Sequence, residues 1–293
     1  MDCKSCNKKD CPSKNQRPDE RLEDFLERQE LAKRMCKIKH KILVMSGKGG
    51  VGKSTVAVNM AVALSREGYN VGLLDVDIHG PSIPTMLNLK DVKMMQSEAG
   101  VLPVKVGPHL KVISIAFFLE HPEQAVIWRG PMKMGVIKQF LKDVDWGDLD
   151  YLVIDSPPGT GDEPLSVVQL IEDIDGGVMV TTPQEVASSD VRRSVTFCNK
   201  INLPVLGVVE NMSGFRCPDC GKITDIFSSG GGKKLAEDMK VPFLGKVPID
   251  PAVVQAGDEG TPFVNAFGGT QTAKDFNEII KPIIGLETSG KSE

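Results

Sequence analysis

A doubly wound α/β fold, with a mostly parallel sheet and helices on both faces, is predicted by three observations. Short apolar runs rich in β-branched residues recur at 42–45, 71–74, 151–154, 178–181, 205–209 and 243–247. The runs are continuous rather than alternating, which is the pattern of strands buried on both faces. Helical stretches at 53–67, 132–144, 163–172 and 188–202 separate most of them, as the crossovers between parallel strands require. In such a sheet, ligands bind at the carboxyl ends of the strands.

Along the chain, residues 1 to about 18 are polar and lack a hydrophobic period. They are expected to be a tail that only a bound metal orders. From Asp19 to about Lys39, the residues Leu22, Phe25, Leu26, Leu31 and Met35 fall on a broken helical period amid charges. That spacing predicts a short, solvated linker helix. Strand and helix alternate from residue 42 onward. Within that alternation, 101–106 and 111–118 flank Gly107-Pro108-His109 and are expected to form an inserted hairpin. Cys198 falls in a helical stretch and is expected in the core. The polar end, 287–293, is expected to fray. The expected division is a cysteine-containing tail and linker helix at 1–40, one folded domain at 41–285 and a tail at 286–293.

Composition narrows the function. The 293 residues suffice for a full core, and 41% apolar with 25% charged content excludes a disordered or fibrous chain. A net charge of −4 and only fifteen aromatic residues (11 Phe, 2 Tyr, 2 Trp) give no case for a nucleic-acid partner. Uncharged stretches such as 54–65 fall far short of the roughly 20 apolar residues of a membrane helix. Residues 2–21 contain no Val, Ile, Leu or aromatic side chain, so no secretory signal is expected. The expectation is a cytoplasmic protein without a membrane partner. Its closely spaced cysteines then read as metal or redox chemistry rather than disulfides. His40, His79, His109 and His121 show no metal spacing.

Gly47-Lys48-Gly49-Gly50-Val51-Gly52-Lys53-Ser54-Thr55 joins the first strand to the first helix of this scheme. It fits G-x-x-x-x-G-K-[ST], the phosphate-binding loop. Glycines let the backbone wrap an anion with its amides pointing inward, and the helix N-terminus adds partial positive charge. Lys53 is placed to reach the β- and γ-phosphates, and the Ser54 hydroxyl to ligate Mg2+. Asp155 ends the run 151–154, where a carboxylate that holds hydrated Mg2+ is expected. Asp75 and Asp77 follow 71–74 and are candidates for positioning or activating an attacking water.

Lys48 in Gly47-Lys48-Gly49-Gly50 resembles the deviant phosphate loop of the MinD and ParA class of dimeric ATPases. Four further segments are Asp75-Val76-Asp77-Ile78-His79-Gly80-Pro81-Ser82-Ile83-Pro84, Asp155-Ser156-Pro157-Pro158-Gly159-Thr160-Gly161-Asp162-Glu163, Glu210-Asn211-Met212-Ser213 and Cys217-Pro218-Asp219-Cys220-Gly221. Together they resemble the Mrp/ApbC family of iron–sulfur cluster carrier ATPases, over about residues 41–280. The resemblance implies a MinD-like P-loop NTPase fold and a homodimer with ATP at its interface. It implies that Lys48 reaches the partner's phosphates, that Asp77 lies near the attacking water with Asp75 beside it, and that Asn211 meets the adenine. Pro248-Ile249-Asp250 resembles the loop that closes over the base.

Cys217 and Cys220 are two thiolates, and two cannot complete a four-sulfur site. A two-fold dimer supplies four, as the resemblance implies, for one bridging 4Fe–4S cluster. Cys-Pro-x-Cys-Gly is also a zinc-knuckle sequence, and a redox-active dithiol is a third reading. Cys3, Cys6 and Cys11 form C-x2-C-x4-C, with Cys36 the candidate fourth ligand of a second cluster site and a three-thiolate site with one open position the other option. Some relatives carry four close N-terminal cysteines, and this chain departs from them.

The leading expectation is therefore an ATP-hydrolysing homodimeric carrier that takes a 4Fe–4S cluster from an upstream donor and delivers it to recipient apoproteins. A MinD-type positioning ATPase would need a membrane-binding terminal helix, and 281–286 has neither the length nor the charge. An ATP-gated iron–sulfur reductase is the third class.

Overall fold

The computed structural model describes residues 15–286, without 79, 99, 119–129 and 172. Cys3, Cys6, Cys11, His79 and His121 lie outside the described residues, as does the end 287–293. In chain order the elements are α1 (Leu22–Met35), β1 (Ile38–Ser46), α2 (Lys53–Arg66), β2 (Val71–Asp75), α3 (Ile83–Met86), β3 (Met95–Ser97), β4 (Gly100–Leu102), β5 (Val104–Val106), β6 (Leu110–Ser114) and α4 (Gly130–Asp143). There follow β7 (Leu149–Asp155), α5 (Asp162–Leu170), β8 (Gly176–Thr181), α6 (Glu185–Lys200), β9 (Val205–Arg216), β10 (Ile223–Thr224), α7 (Gly231–Met239), β11 (Phe243–Ile249), α8 (Pro251–Asp258), α9 (Phe263–Ala266) and α10 (Gln271–Ile284).

The described strands form a nine-stranded sheet in the order β10-β9-β8-β1-β7-β2-β6-β5, with β11 also paired to β9. Six of its pairings are parallel, and those of β5 with β6 and β10 with β9 are antiparallel. The period-2 geometry of a strand splits each apolar run between two cores. Ile42 and Val44 join the cluster under α2, α9 and α10, while Leu43 and Met45 join the one under α1, α4, α6 and α7. Burying each such side chain contributes about 1.5–3 kcal/mol. A continuous apolar run is thus stable only where helices cover both faces.

α2 is buried nearly all round, from Val56 to Leu64, because α10 packs along the side that the sheet leaves open. This holds the helix N-terminus, and the loop before it, against the sheet. In α10 the buried residues Phe276, Ile279, Ile280 and Ile283 recur at helical spacing. Residues 281–284, within the segment too short for a membrane anchor, are thus the last turn of a core helix. Pro282 lies inside this last turn, where its missing N–H leaves the Glu278 carbonyl without a helical partner.

Two expected elements differ. The run 101–106 is broken at Pro103, so β4 pairs with β3 in a separate two-stranded sheet. Only β5 makes the expected hairpin with β6, across 107–109. β6 also pairs in parallel with β2 and is a full member of the main sheet, and 115–118 is a 3-10 turn. The linker helix is not wholly solvated. Leu31, Ala32 and Met35 of α1 are buried, and Glu27 pairs with Lys138 of α4. Cys198 is buried, as expected, with its thiol against Met45.

Candidate functional site

The loop 47–52 leaves the carboxyl end of β1, and α2 opens directly on Lys53. Two glycines are demanded by their surroundings. A Cβ on Gly47 would lie 2.5 Å from the Asp190 carbonyl carbon, because α6 crosses the loop there. Gly52 has φ +78°, and a Cβ on it would lie 2.2 Å from Asn211 Nδ2. Asn211 donates to the Val51 carbonyl at 2.9 Å, which ties β9 to the loop.

Parallel register places Asp75 of β2 directly opposite Asp155 of β7. Lys53 Nζ lies 2.6 Å from Asp155 Oδ1 and 3.6 Å from Asp77 Oδ2, and the Ser54 hydroxyl donates to Asp155 Oδ2 at 2.5 Å. Burial pushes the Asp155 carboxyl up, against the lowering effect of Lys53 and Ser54. Asp75 is pushed up to about 8, by burial first and by the Asp155 charge second. Its oxygens accept from Ser114 Oγ at 2.9 Å and from the Asp77 backbone N–H at 3.1 Å. Asp75 therefore shapes the turn that presents Asp77. The Ser54 hydroxyl with the Asp155 and Asp77 carboxylates is a set of hard oxygen donors that fits Mg2+. Lys48 is half-buried, and among the described residues its ammonium has no carboxylate partner.

Beside the loop is a cavity of about 450 Å3, bounded by Gly52, Thr55, Asn211, Pro248, Asp250 and Phe263 among others. Its size and largely apolar walls suit a nucleoside. Asp250 N-caps α8 by accepting from Ala252 N at 3.1 Å, and it accepts from the Thr272 hydroxyl at 2.7 Å. Both its oxygens are therefore engaged inside the protein.

Past the sheet, β9 runs on to Arg216 and turns at Cys217–Cys220 before pairing with β10. Cys217 N donates to the Lys222 carbonyl and Gly221 N to the Cys217 carbonyl, each at 2.9 Å. The backbone N–H groups of Cys220 and Asp219 hold the Cys217 thiol below the usual range. Cys220 is exposed, and so are the large apolar side chains of Ile223, Ile226 and Phe227 nearby. Among the described residues, no group of three His, Cys, Asp or Glu side chains gathers as a metal site. Cys36 is exposed at the end of α1. His40 stacks on Tyr151 and His109 lies 3.3 Å from Asn70.

Several residues that shape the site carried no sequence signal for that role. Ser114 and Thr272 are single hydroxyls in apolar or mixed segments. Glu210 is fully buried and accepts from Gly230 N, Gly232 N and Ser213 Oγ, clamping the start of α7 to β9. Its motif pointed to Asn211 alone.

Comparison with known proteins identifies the family. The sequence profile of the ParA group described as NUBPL iron-transfer P-loop NTPase matches residues 37–284. A Methanocaldococcus jannaschii protein named iron–sulfur cluster carrier protein is 48% identical over 283 residues, 97% of each chain. A Nematostella vectensis protein named cytosolic Fe-S cluster assembly factor NUBP2 homolog is 52% identical over 250 residues, 84% of this chain and 93% of the relative. Among solved structures, an Archaeoglobus fulgidus nucleotide-binding protein in complex with ADP superposes with a TM-score of 0.72 at 41% identity, covering 80% of this chain and 92% of that one. The cell division ATPase MinD of Pyrococcus furiosus shares the fold, with a TM-score of 0.60 at 24% identity over 85% of this chain and 99% of its own. With its phosphate loop between β1 and α2 and the profile matched across the whole folded body, the chain belongs to the NUBPL iron-transfer P-loop NTPase family.

Proposed function

We propose that this protein is an ATP-hydrolysing homodimer that carries a 4Fe–4S cluster from an upstream donor to recipient apoproteins. One observation carries the reading. Cys217 and Cys220 stand on a turn at the end of β9, the strand whose Asn211 lies six residues earlier at the nucleotide cavity. One chain thus offers two thiolates at the end of a strand that also borders the nucleotide cavity, and a two-fold partner would supply the other two. The exposed Ile223, Ile226 and Phe227 give that partner apolar surface to cover. The iron–sulfur names of the relatives support cluster cargo over a positioning role.

In this reading the backbone of 47–52 and Lys53 hold the phosphates, with Thr55 at the start of α2 beside them. Ser54 ligates Mg2+, which neutralises phosphate charge when bound. Asp155 holds the hydrated ion, and Asp77 orients the attacking water. Lys48 acts on the partner's nucleotide, and Asn211 with the Pro248–Asp250 turn borders the base. Cys3, Cys6 and Cys11, with Cys36 as a candidate fourth thiolate, form a second site independent of nucleotide. The test is anaerobic purification of the full chain with Cys3, Cys6 and Cys11 changed to Ser, followed by iron, sulfide, zinc and ATPase analysis. The expected result is about four iron and four sulfide per dimer, lost in Cys217→Ala, and transferable to an apo-enzyme. Tightly bound zinc without sulfide after reconstitution would reduce the turn to a structural knuckle.

A further inference from the structure

The nucleotide cavity and the cysteine turn are joined by a second route besides β9 itself. Arg216 immediately precedes Cys217. Its Nη1 donates to the Gly221 carbonyl, inside the cysteine turn, at 3.4 Å. Its Nε donates to the Thr272 hydroxyl at 3.2 Å, and Nη2 lies 3.8 Å from Asp275 on the same helix, α10. Thr272 is fully buried and passes its own proton donation to Asp250 Oδ2 at 2.7 Å. Asp250 borders the cavity and caps α8, whose Val253 and Val254 form part of its wall. The chain of donors thus runs in one direction, from Arg216 to Thr272 to Asp250, with every group buried or half-buried.

β9 departs from its ladder with β11 between Asn211 and Phe215, where four steps along β9 face two along β11. Met212 sits in this bulge at φ +57°, a conformation that a side chain disfavours, and its side chain borders the cavity. Between Asn211 and Phe215 the strand has no partner on β11, and beyond it Arg216 pairs with Ile223 within the cysteine hairpin itself, so the Arg216 side chain is a link from that hairpin to α10. Upstream, Glu210 accepts from the Ser213 hydroxyl.

We infer that Arg216 and Thr272 are positioning residues that couple occupancy of the nucleotide cavity to the geometry of the Cys217–Cys220 turn. A nucleotide that shifts the start of α8 shifts Asp250, and Thr272 and Arg216 pass the shift to the Gly221 carbonyl. The inference rests on the nucleotide and thiolate sites proposed above. A bond chain of this kind qualifies as coupling only if both sites bias it.

The test uses the reduced, metal-free full chain. Iodoacetamide alkylation rates at Cys217 and Cys220 are measured by peptide mass spectrometry, with and without saturating Mg·ADP, and ADP affinity is measured separately by calorimetry. In the wild type, Mg·ADP is expected to change the rates by about fivefold or more, the low end of ordinary coupling between sites. Thr272→Val keeps the shape and removes the hydroxyl. It should bind ADP within about threefold of wild type and lose the nucleotide effect, while Thr272→Ser restores it. Arg216→Lys, which keeps the charge near Asp275 but not the forked donors, should also lose it. A purely structural role for Thr272 would lower stability without erasing the nucleotide dependence. The inference is overturned if Thr272→Val and Arg216→Lys keep the full effect, or if the wild type binds ADP and shows none. A wild type that does not bind ADP overturns the nucleotide-site reading, and this inference with it.

Discussion

Asp75 and Asp155 lie opposite each other on β2 and β7, yet Asp155 takes the Lys53 ammonium at 2.6 Å while Asp75 accepts from Ser114 and the Asp77 backbone. Two buried carboxylates side by side cannot both ionise cheaply. The one with the cation holds the charge more readily, and Asp75 is left pushed up to about 8.

A pH dependence follows. A carboxyl whose folded value is raised binds a proton in the native state that the unfolded chain has lost, so stability falls as pH rises. For Asp75 the window runs from its unfolded value of 3.8 to about 8. Asp75→Asn removes this penalty and keeps an acceptor for Asp77 N. In thermal melts of the nucleotide-free protein, the advantage of Asp75→Asn over wild type should grow steadily across that window. A constant difference at every pH would show that Asp75 is not the titrating group.

The proposed role of Lys48 in trans can be separated from a role within one chain. Lys48→Ala and Asp77→Asn homodimers should each be inactive. Mixed, a heterodimer has one site with an intact Asp77 and an intact partner lysine. Activity should therefore appear on mixing, approaching half of the wild-type value per heterodimer. Mixtures that stay at background would place Lys48 in its own subunit's site.

Gly52→Ala should be among the most damaging single changes at the loop. The added Cβ meets Asn211 Nδ2 at 2.2 Å, on a backbone with φ +78°. The expected cost is about 1–3 kcal/mol of stability, with at least a tenfold loss of ADP affinity by calorimetry. Affinity within twofold of wild type would mean that Asn211 swings away without consequence.

The thiols should sort by environment in the metal-free protein. Burial pushes Cys198 up to about 12, so it should resist alkylation until the protein unfolds. Cys217, held low by two backbone N–H groups, should keep reacting at pH values where an ordinary thiol is protonated. A Cys217 rate profile with its midpoint at or above the ordinary thiol value would show that the turn does not hold the sulfur in this way.

Much of the architecture could be read from local spacing. The six strand runs and four helices predicted from apolar runs and helical spacing recur in the structure with ends shifted by a few residues, because strand and helix periods are written in consecutive residues; the exception is β9, which runs on from 209 to Arg216. The expected hairpin fails at Pro103, where one missing N–H ends a strand that the apolar pattern would continue. Among the helices after residue 230, α10 spaces Phe276, Ile279, Ile280 and Ile283 at helical intervals and is legible in the sequence, although the expected scheme stops short of it. α7, α8 and α9 are too short to show a helical period, and packing on their neighbours decides which face is buried.

By itself, the sequence determined the α/β class, the place of the phosphate loop between the first sheet strand and α2, and the pairing of two cysteines on one turn. Each is read from patterns of consecutive residues, repeated along the chain for the class and confined to one short segment for the loop and the cysteines. The tertiary structure alone decided that Asp75 is held by Ser114, 39 residues away, and that Arg216 reaches Asp250 through Thr272, 56 residues on. It also decided that Glu210 clamps the start of α7. A hydrogen bond between distant segments has no period and no fixed spacing. It exists only once burial has brought the partners together and removed the water that would otherwise satisfy them.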